Sequence, residues 1–192
     1  MYLDKSLLYS THINYVVKKL CRFSGILYKI KSSLPVNIRI NFYYAFIYPY
    51  LCQNVIIWGN TCEYLLKPLI IQQKRIIRNI TDSGYLDNTS PLFARLGLLK
   101  FEDIYKFHAL IYMFKSLNTN SNFSAHHSLN TRNRNRPVSK FQRLTLTQRS
   151  ISFMGPKLWN SLPDHIISID SLFIFKKRLK NYLISKYLED HD

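Results

Sequence analysis

The sequence predicts a mainly α fold: an N-terminal helical bundle, then a smaller α+β C-terminal unit with one or two short strands and a terminal amphipathic helix. Apolar residues recur at helical spacing through each long segment between Thr11 and Leu117. Between Arg143 and Phe153 the spacing changes to apolar–polar alternation, the period of a strand. With 47% hydrophobic and 15% aromatic residues, a chain of 192 residues can bury a core, as one domain or as two small helical units. The pattern divides the chain into a three-helix bundle over 1–81, a helical extension over 82–118, a basic polar linker over 119–141 and a C-terminal unit over 142–192.

The first helix is expected from Thr11 to Ser33. Ile13, Val16, Val17, Leu20, Phe23, Leu27 and Ile30 form its apolar stripe, and Lys18, Lys19, Arg22, Lys29 and Lys31 lie mostly off it. Ser33-Leu34-Pro35 closes it, because the residue before a proline is pushed out of the α region. A second helix repeats Ile38, Phe42, Ala45 and Phe46, kinks at Pro49 and ends at Gly59. Its stretch from Phe42 to Trp58 is nearly free of charge. It is short for a membrane span of about 20 residues and carries Gln53 and Asn54, so it reads as a buried helix and not as a span. Asn60 with Glu63 matches a capping box for a third helix reaching about Ile80. That helix turns Leu65, Leu66, Leu69, Ile70, Ile76, Ile77 and Ile80 inward, and Lys67, Lys74, Arg75 and Arg78 outward. Short connections predict an antiparallel bundle.

Asp82-Ser83-Gly84 interrupts the periodicity. Ser90 suits an N-cap and Pro91 a first helical position, and Gly97 suits the stop of that short helix. From Phe101 to Leu117, Ile104, Phe107, His108, Ile111, Phe114 and Leu117 share one side. His108 has no acidic or cysteine partner at helical spacing, so it reads as a core histidine and not as a ligand or base. Asn118 to Lys140 is rich in Asn, Ser, Thr and Arg and reads as linker or exposed loop. Arg132, Arg134 and Arg136 alternate there, so an extended strand would put all three on one face. Gly155 to Pro163 (G-P-K-L-W-N-S-L-P) reads as a turn-rich block anchored by Trp159. Asp170 or Ser171 then caps a last helix to about Leu188, with Leu172, Phe175, Leu179, Tyr182 and Leu183 inward and Lys176, Lys177, Arg178 and Lys180 outward.

A net charge of +16 and a pI near 9.8 point to polyanionic partners, nucleic acid first and acidic membrane second. Cys21, Cys52 and Cys62 are odd in number and flanked by apolar residues, which reads as buried thiols in a reducing compartment. His126–His127 lacks neighbouring ligands for a metal. The first ten residues lack the apolar run and cleavage site of a signal peptide, so the expected location is intracellular, in cytoplasm or nucleus.

Several blocks, taken in order and spacing, resemble the region downstream of the polymerase palm in non-LTR retrotransposon reverse transcriptases of the jockey-like or LINE type. They are G-I-L-Y-K-I-K-S-S-L-P (Gly25–Pro35), Y-P-Y-L (Tyr48–Leu51), W-G-N (Trp58–Asn60) and Q-K-R-I-I-R (Gln73–Arg78). They continue through P-L-F-A-R-L-G-L-L (Pro91–Leu99), Y-M-F-K-S-L-N (Tyr112–Asn118), T-R-N (Thr131–Asn133) and the block Gly155–Ile184. Where that family carries a glycine after Tyr-Leu, this chain has Asp4. The resemblance implies a thumb-like bundle and C-terminal region of an RNA-directed DNA polymerase, here a truncated reading frame without palm or endonuclease.

Polymerase chemistry needs paired aspartates holding two metal ions, and no two aspartates are adjacent in this chain. Asp82, Asp87, Asp190 and Asp192 read as solvated loop carboxylates. No phosphate-binding Gly-rich loop, zinc-knuckle spacing or nucleophile elbow occurs, so the expectation is a non-enzyme with no cofactor, metal or small-molecule substrate. By resemblance to a thumb that tracks a primer–template duplex, Lys18, Lys19, Arg22, Lys29, Lys74, Arg75 and Arg78 are candidate phosphate contacts. Arg132, Arg134 and Arg136 join them as a basic arm that could follow a backbone. The expected partners are RNA, DNA or their hybrid, bound without sequence preference. For each residue the other reading is a solvated helix face. The alternative function is a helical module that docks on protein or membrane.

Overall fold

A computed structural model describes residues 1–5, 7–119, 137 and 142–189, and among these every regular element is a helix. They cluster as two compact units, Met1–Ile104 with Tyr182–Asp192, and Tyr105–Asn181.

In the first unit, α1 spans Ser10–Ile30 and ends in a 3₁₀ turn, Lys31–Ser33. Its N-terminus is held by Asp4, whose carboxylate accepts the amides of Leu8 (2.9 Å), Tyr9 (3.1 Å) and Ser10 (2.8 Å) and the Ser10 hydroxyl (2.8 Å). The Tyr9 and Ser10 amides are donors that the start of a helix leaves without intrahelical partners. Desolvation works to raise the Asp4 carboxyl, but the bonds from Ser10, Tyr9 and Leu8 outweigh it and hold it below its ordinary value. Leu34 is extended, as its place before Pro35 requires, and α2 (Val36–Phe42) follows.

The second expected helix is several pieces. A π-helical segment, Tyr43–Ile47, links α2 to α3 (Tyr48–Cys52), and α4 (Val55–Trp58) comes after a break at Gln53–Asn54, where Asn54 is left-handed. Pro49 has no amide for the carbonyl four residues back, and its ring crowds that carbonyl. The chain widens by one residue ahead of it, the Tyr48 amide bonding the Tyr43 carbonyl. Extra winding also moves the buried face. Arg39, Tyr43, Ile47, Leu51, Val55 and Trp58 are buried, whereas the expected Ile38 and Phe46 are close to half exposed.

α5 runs Glu63–Thr81 with Cys62, not Asn60, at its N-cap, so the expected capping box is absent. It buries Leu66, Leu69, Gln73, Ile76, Ile77 and Ile80. Thr61 Oγ1 donates to the Leu8 carbonyl (3.0 Å) near the start of α1, and Asn79 reaches Ser24 far along it. Helices α1 and α5 are therefore parallel. The α2–α4 run returns between them in the opposite sense: Arg39 meets Ile80 and Asp82 at the end of α5, Tyr43 meets Gln73, and Trp58 meets His12 near the start of α1. The result is an up-down-up bundle with sequence neighbours antiparallel.

Two polar hubs stitch this bundle. Arg39, only 6% exposed, donates to the carbonyls of Leu34 (2.8 Å) and Ile80 (2.9 Å) and to the Asp82 carboxylate. Gln73, 1% exposed, donates to the Tyr43 hydroxyl and the Leu99 carbonyl, both at 3.0 Å, and accepts from the Phe101 amide at 2.8 Å. α6 (Ser90–Leu96) has Thr89 at its N-cap, one residue before the expected Ser90, and stops at left-handed Gly97. There the Leu98 amide reaches back to the Phe93 carbonyl (3.0 Å), the closure that a Gly C-terminus allows. Tyr187 belongs to this unit: its hydroxyl donates to Asp103 (2.6 Å) and accepts from the Lys100 amide (3.0 Å).

In the second unit lie most of α7 (Phe101–Asn118), α8 (Thr145–Gln148), α9 (Ile151–Asn160), α10 (Asp164–Ile167) and the front of α11 (Leu172–Glu189). The expected strands over 143–153 are helical turns, and the expected turn-rich block is mostly helix: Gly155, Pro156 and Trp159 all sit inside α9. Only Ser161 to Pro163 turns. Gly155 has a packing reason, since a Cβ there would lie 2.5 Å from Met113 Sδ. Trp159, 5% exposed, stacks on Phe175 (5.7 Å, 28°), which stacks on Phe114 (4.6 Å, 29°). The indole anchors this unit and is closed to a nucleobase. On α7 the deepest residues of this unit are Ala109, Leu110 and Met113, one step from the expected Phe107, His108 and Ile111, which are half-buried.

Candidate functional site

The basic residues named from the sequence separate into distinct surfaces. At 100° per residue, Lys18, Arg22, Gly25 and Lys29 fall within an arc of about 60° on α1. The three cations on that arc are exposed. α1 carries no acidic residue, and none of the three has an ion-pair partner among the described residues. Lys19 is turned away from this arc and is half-buried, with its Nζ 5.5 Å from the Tyr15 ring centroid.

Beside this stripe a groove of about 280 Å³ runs between α1 and α5, lined by Cys21, Ser24, Gly25, Tyr28, Arg75 and Asn79. Its floor is closed where Asn79 Nδ2 donates to Ser24 Oγ at 3.3 Å. Small side chains on α1 permit that approach. A Cβ on Gly25 would meet nothing within 4 Å, so the groove is open at that point. Arg75 forms the far wall and is exposed. It has no ion-pair partner among the described residues.

Lys74 and Arg78 share a different stripe of α5 with Lys67, about 60–100° from Arg75. Arg78 is tied down, donating from Nε (3.2 Å) and an η nitrogen (2.8 Å) to the Asp87 carbonyl, beside the Tyr85 ring. Lys74 lines a smaller hollow of about 170 Å³ with Lys100 and Glu102. Of these candidate cations Arg75 lines the groove, Lys18, Arg22 and Lys29 form the neighbouring exposed stripe of α1, and Lys19, Lys74 and Arg78 lie on neither. Arg132, Arg134 and Arg136 lie outside the described residues, as do His126–His127, Asp190 and Asp192.

Asp82 is not a free loop carboxylate. The Arg39 hydrogen bond, and next to it the Lys31 ammonium at 3.4 Å, hold its carboxyl below the ordinary range against some desolvation. Cys21 is exposed, contrary to the expected burial; Cys52 and Cys62 are half-buried, and burial pushes the Cys52 thiol up to about 11. Among the described residues no three His, Cys, Asp or Glu stand together as metal ligands, and no helix is long and apolar enough to cross a membrane. The groove itself was missed from the sequence. Its only signal was the run of small residues Cys21, Ser24 and Gly25 on one helix face. No family model, curated protein or solved structure matches this chain.

Proposed function

We propose that this chain binds RNA, DNA or their hybrid through the phosphate backbone, without reading sequence. The observation that carries the proposal is the exposed stripe Lys18, Arg22 and Lys29 beside the groove that Arg75 lines, on a chain of net charge +16. Four cations without carboxylate partners among the described residues keep their field for a polyanion. The ordered blocks from Gly25–Pro35 to Gly155–Ile184 support a place for it as the thumb and C-terminal region of a non-LTR reverse transcriptase. Lacking adjacent aspartates for two-metal chemistry, it is inactive as a polymerase by itself. Its partners would meet it in cytoplasm or nucleus.

The test is a salt titration of oligonucleotide binding by fluorescence anisotropy. Each phosphate neutralised contributes about −0.7 to the log–log salt slope for a single strand and about −0.9 for B-form duplex. Replacing Lys18, Arg22, Lys29 and Arg75 together by Gln should flatten the slope by about 3. An unchanged slope, or binding indifferent to salt in the parent, sinks the proposal.

A second reading, docking on protein or membrane, is favoured by one observation. Ile38, Tyr44 and Phe46 are 40–48% exposed on the α2–α3 run, and Phe46 stands in a cluster with Phe42 (4.8 Å) and Phe23 (5.8 Å). Co-sedimentation with anionic liposomes at the salt used for the oligonucleotides separates the two.

A further inference from the structure

Resting on the backbone-binding reading above, we infer that the α1–α5 groove takes a single strand and that Tyr28 stacks on one of its unpaired bases. Tyr28 lines the groove with Arg75 and is 63% exposed, a large aromatic surface left to water. Its ring is not loose. Lys31 Nζ lies 5.1 Å from the ring centroid, and Lys31 is itself held 3.4 Å from Asp82. The ammonium covers one face of the ring and leaves the other for a flat partner.

Size and chemistry then select the strand. At about 280 Å³ the groove is small against a duplex, whose own major groove is about 12 Å wide and admits an entire helix. A duplex also hides its base faces from a side chain, whereas a single strand offers one with every nucleotide. The missing Cβ at Gly25 lets a sugar or phosphate come close to the α1 backbone. Lys18, Arg22 and Lys29 extend about 17 Å along the neighbouring stripe of α1, from 11 residues at 1.5 Å rise, so a strand running from the stacked base toward the N-terminal end of α1 has cations to meet. Arg75 adds a cation on the α5 side of the groove. Stacking is indifferent to base identity, in keeping with backbone binding that reads no sequence.

The test compares a short oligothymidylate carrying one 2-aminopurine with a blunt duplex, both against the full chain at matched salt. Tyr28→Ala should weaken single-strand binding about thirtyfold, the mid-range value for loss of one stacked base. It should also abolish the quenching of 2-aminopurine and leave duplex affinity and the salt slope unchanged. Tyr28→Phe, which keeps the ring, should restore both affinity and quenching. Tyr28 is a surface residue, so unchanged far-UV circular dichroism is expected in both variants. If Tyr28→Ala leaves single-strand binding intact while the four-Gln variant loses it, stacking is refuted and backbone binding stands. A parent that prefers the duplex refutes the single-strand assignment. A parent that binds neither overturns both readings.

Discussion

Gln73 offers the sharpest test of how the first unit is held together. Its amide donates to the Tyr43 hydroxyl and the Leu99 carbonyl and accepts from the Phe101 amide, at 3.0, 3.0 and 2.8 Å. All four residues are buried. Gln73→Leu keeps the volume and the helix propensity of the site but leaves three buried polar groups without partners. Each costs about 1–3 kcal/mol, and the added apolar burial returns about 2 kcal/mol, so the net loss should be about 3 kcal/mol. With a urea m-value of about 2 kcal/mol/M the midpoint should fall by about 1.5 M. The chain has two tryptophans, one in each unit, so Trp58 fluorescence in a Trp159→Phe background reports the first unit alone. Adding Tyr43→Phe removes one orphaned hydroxyl, and the pair should be less destabilised than the sum of the singles by about 1 kcal/mol. A loss below about 1 kcal/mol, or strict additivity with Tyr43→Phe, would refute the view that this amide is a fully engaged buried node.

Three further outcomes follow from the same structure. Asp82→Asn keeps a residue that tolerates the left-handed backbone at this position (φ 54°) but removes the charge facing Arg39 and Lys31. Because Asp82 is half exposed and Arg39 keeps its carbonyl acceptors, the cost at neutral pH should be only about 1 kcal/mol. The folded carboxyl is depressed, so that contribution is present above the unfolded value near 3.8 and disappears as pH falls through the folded one; denaturation curves of Asn variant and parent should converge in acid. His12 is 1% exposed, neither ring nitrogen has a hydrogen-bond partner among the described residues, and burial pulls it below 6.5. Its neutral form is the folded one, so stability should be lost as pH falls from about 6.5 toward the folded value, and His12→Phe should flatten that part of the profile read by Trp58. Gly155→Ala should destabilise the second unit by about 1–2 kcal/mol, measured by Trp159 fluorescence, because the clash with buried Met113 exceeds the helix-propensity gain of about 1 kcal/mol.

The helices of the first unit were legible because one-sided burial writes itself into the sequence at the helical period. Leu20, Leu27, Leu69 and Ile77 are all at most 1% exposed and all belong to stripes visible in the chain. Stops set by local backbone chemistry were legible too: extended Leu34 before Pro35, and left-handed Gly97. The second helix was misread on its face because an extra residue of winding at Tyr43–Ile47 cannot be seen in a periodicity that assumes constant turn. Gln73 and Arg39 escaped because a polar residue on an α-helix reads as outward until its distant partners are known. Arg39 reaches residues about 40 positions away, at Ile80 and Asp82.

The C-terminal block shows a different limit. Glycine, proline and a short alternating run are local signals for turn and strand, and between Arg143 and Pro163 they point away from helix. Packing overrules them. Gly155 is there because Met113 leaves no room for a side chain, and Trp159 has Phe175 and Phe114 to cover it, so α9 gains more from burial than glycine and proline cost it. The groove has the same logic in reverse. Lys18, Arg22 and Lys29 are visible as a stripe from spacing alone, yet the groove next to them, which Arg75 lines, exists only because α1 and α5 run parallel with a third rod between them in sequence. Charge could be counted along the chain; which charges share a surface was decided by the sense of the helices, and buried Ser24 meeting Asn79 is where α1 and α5 touch beneath the groove.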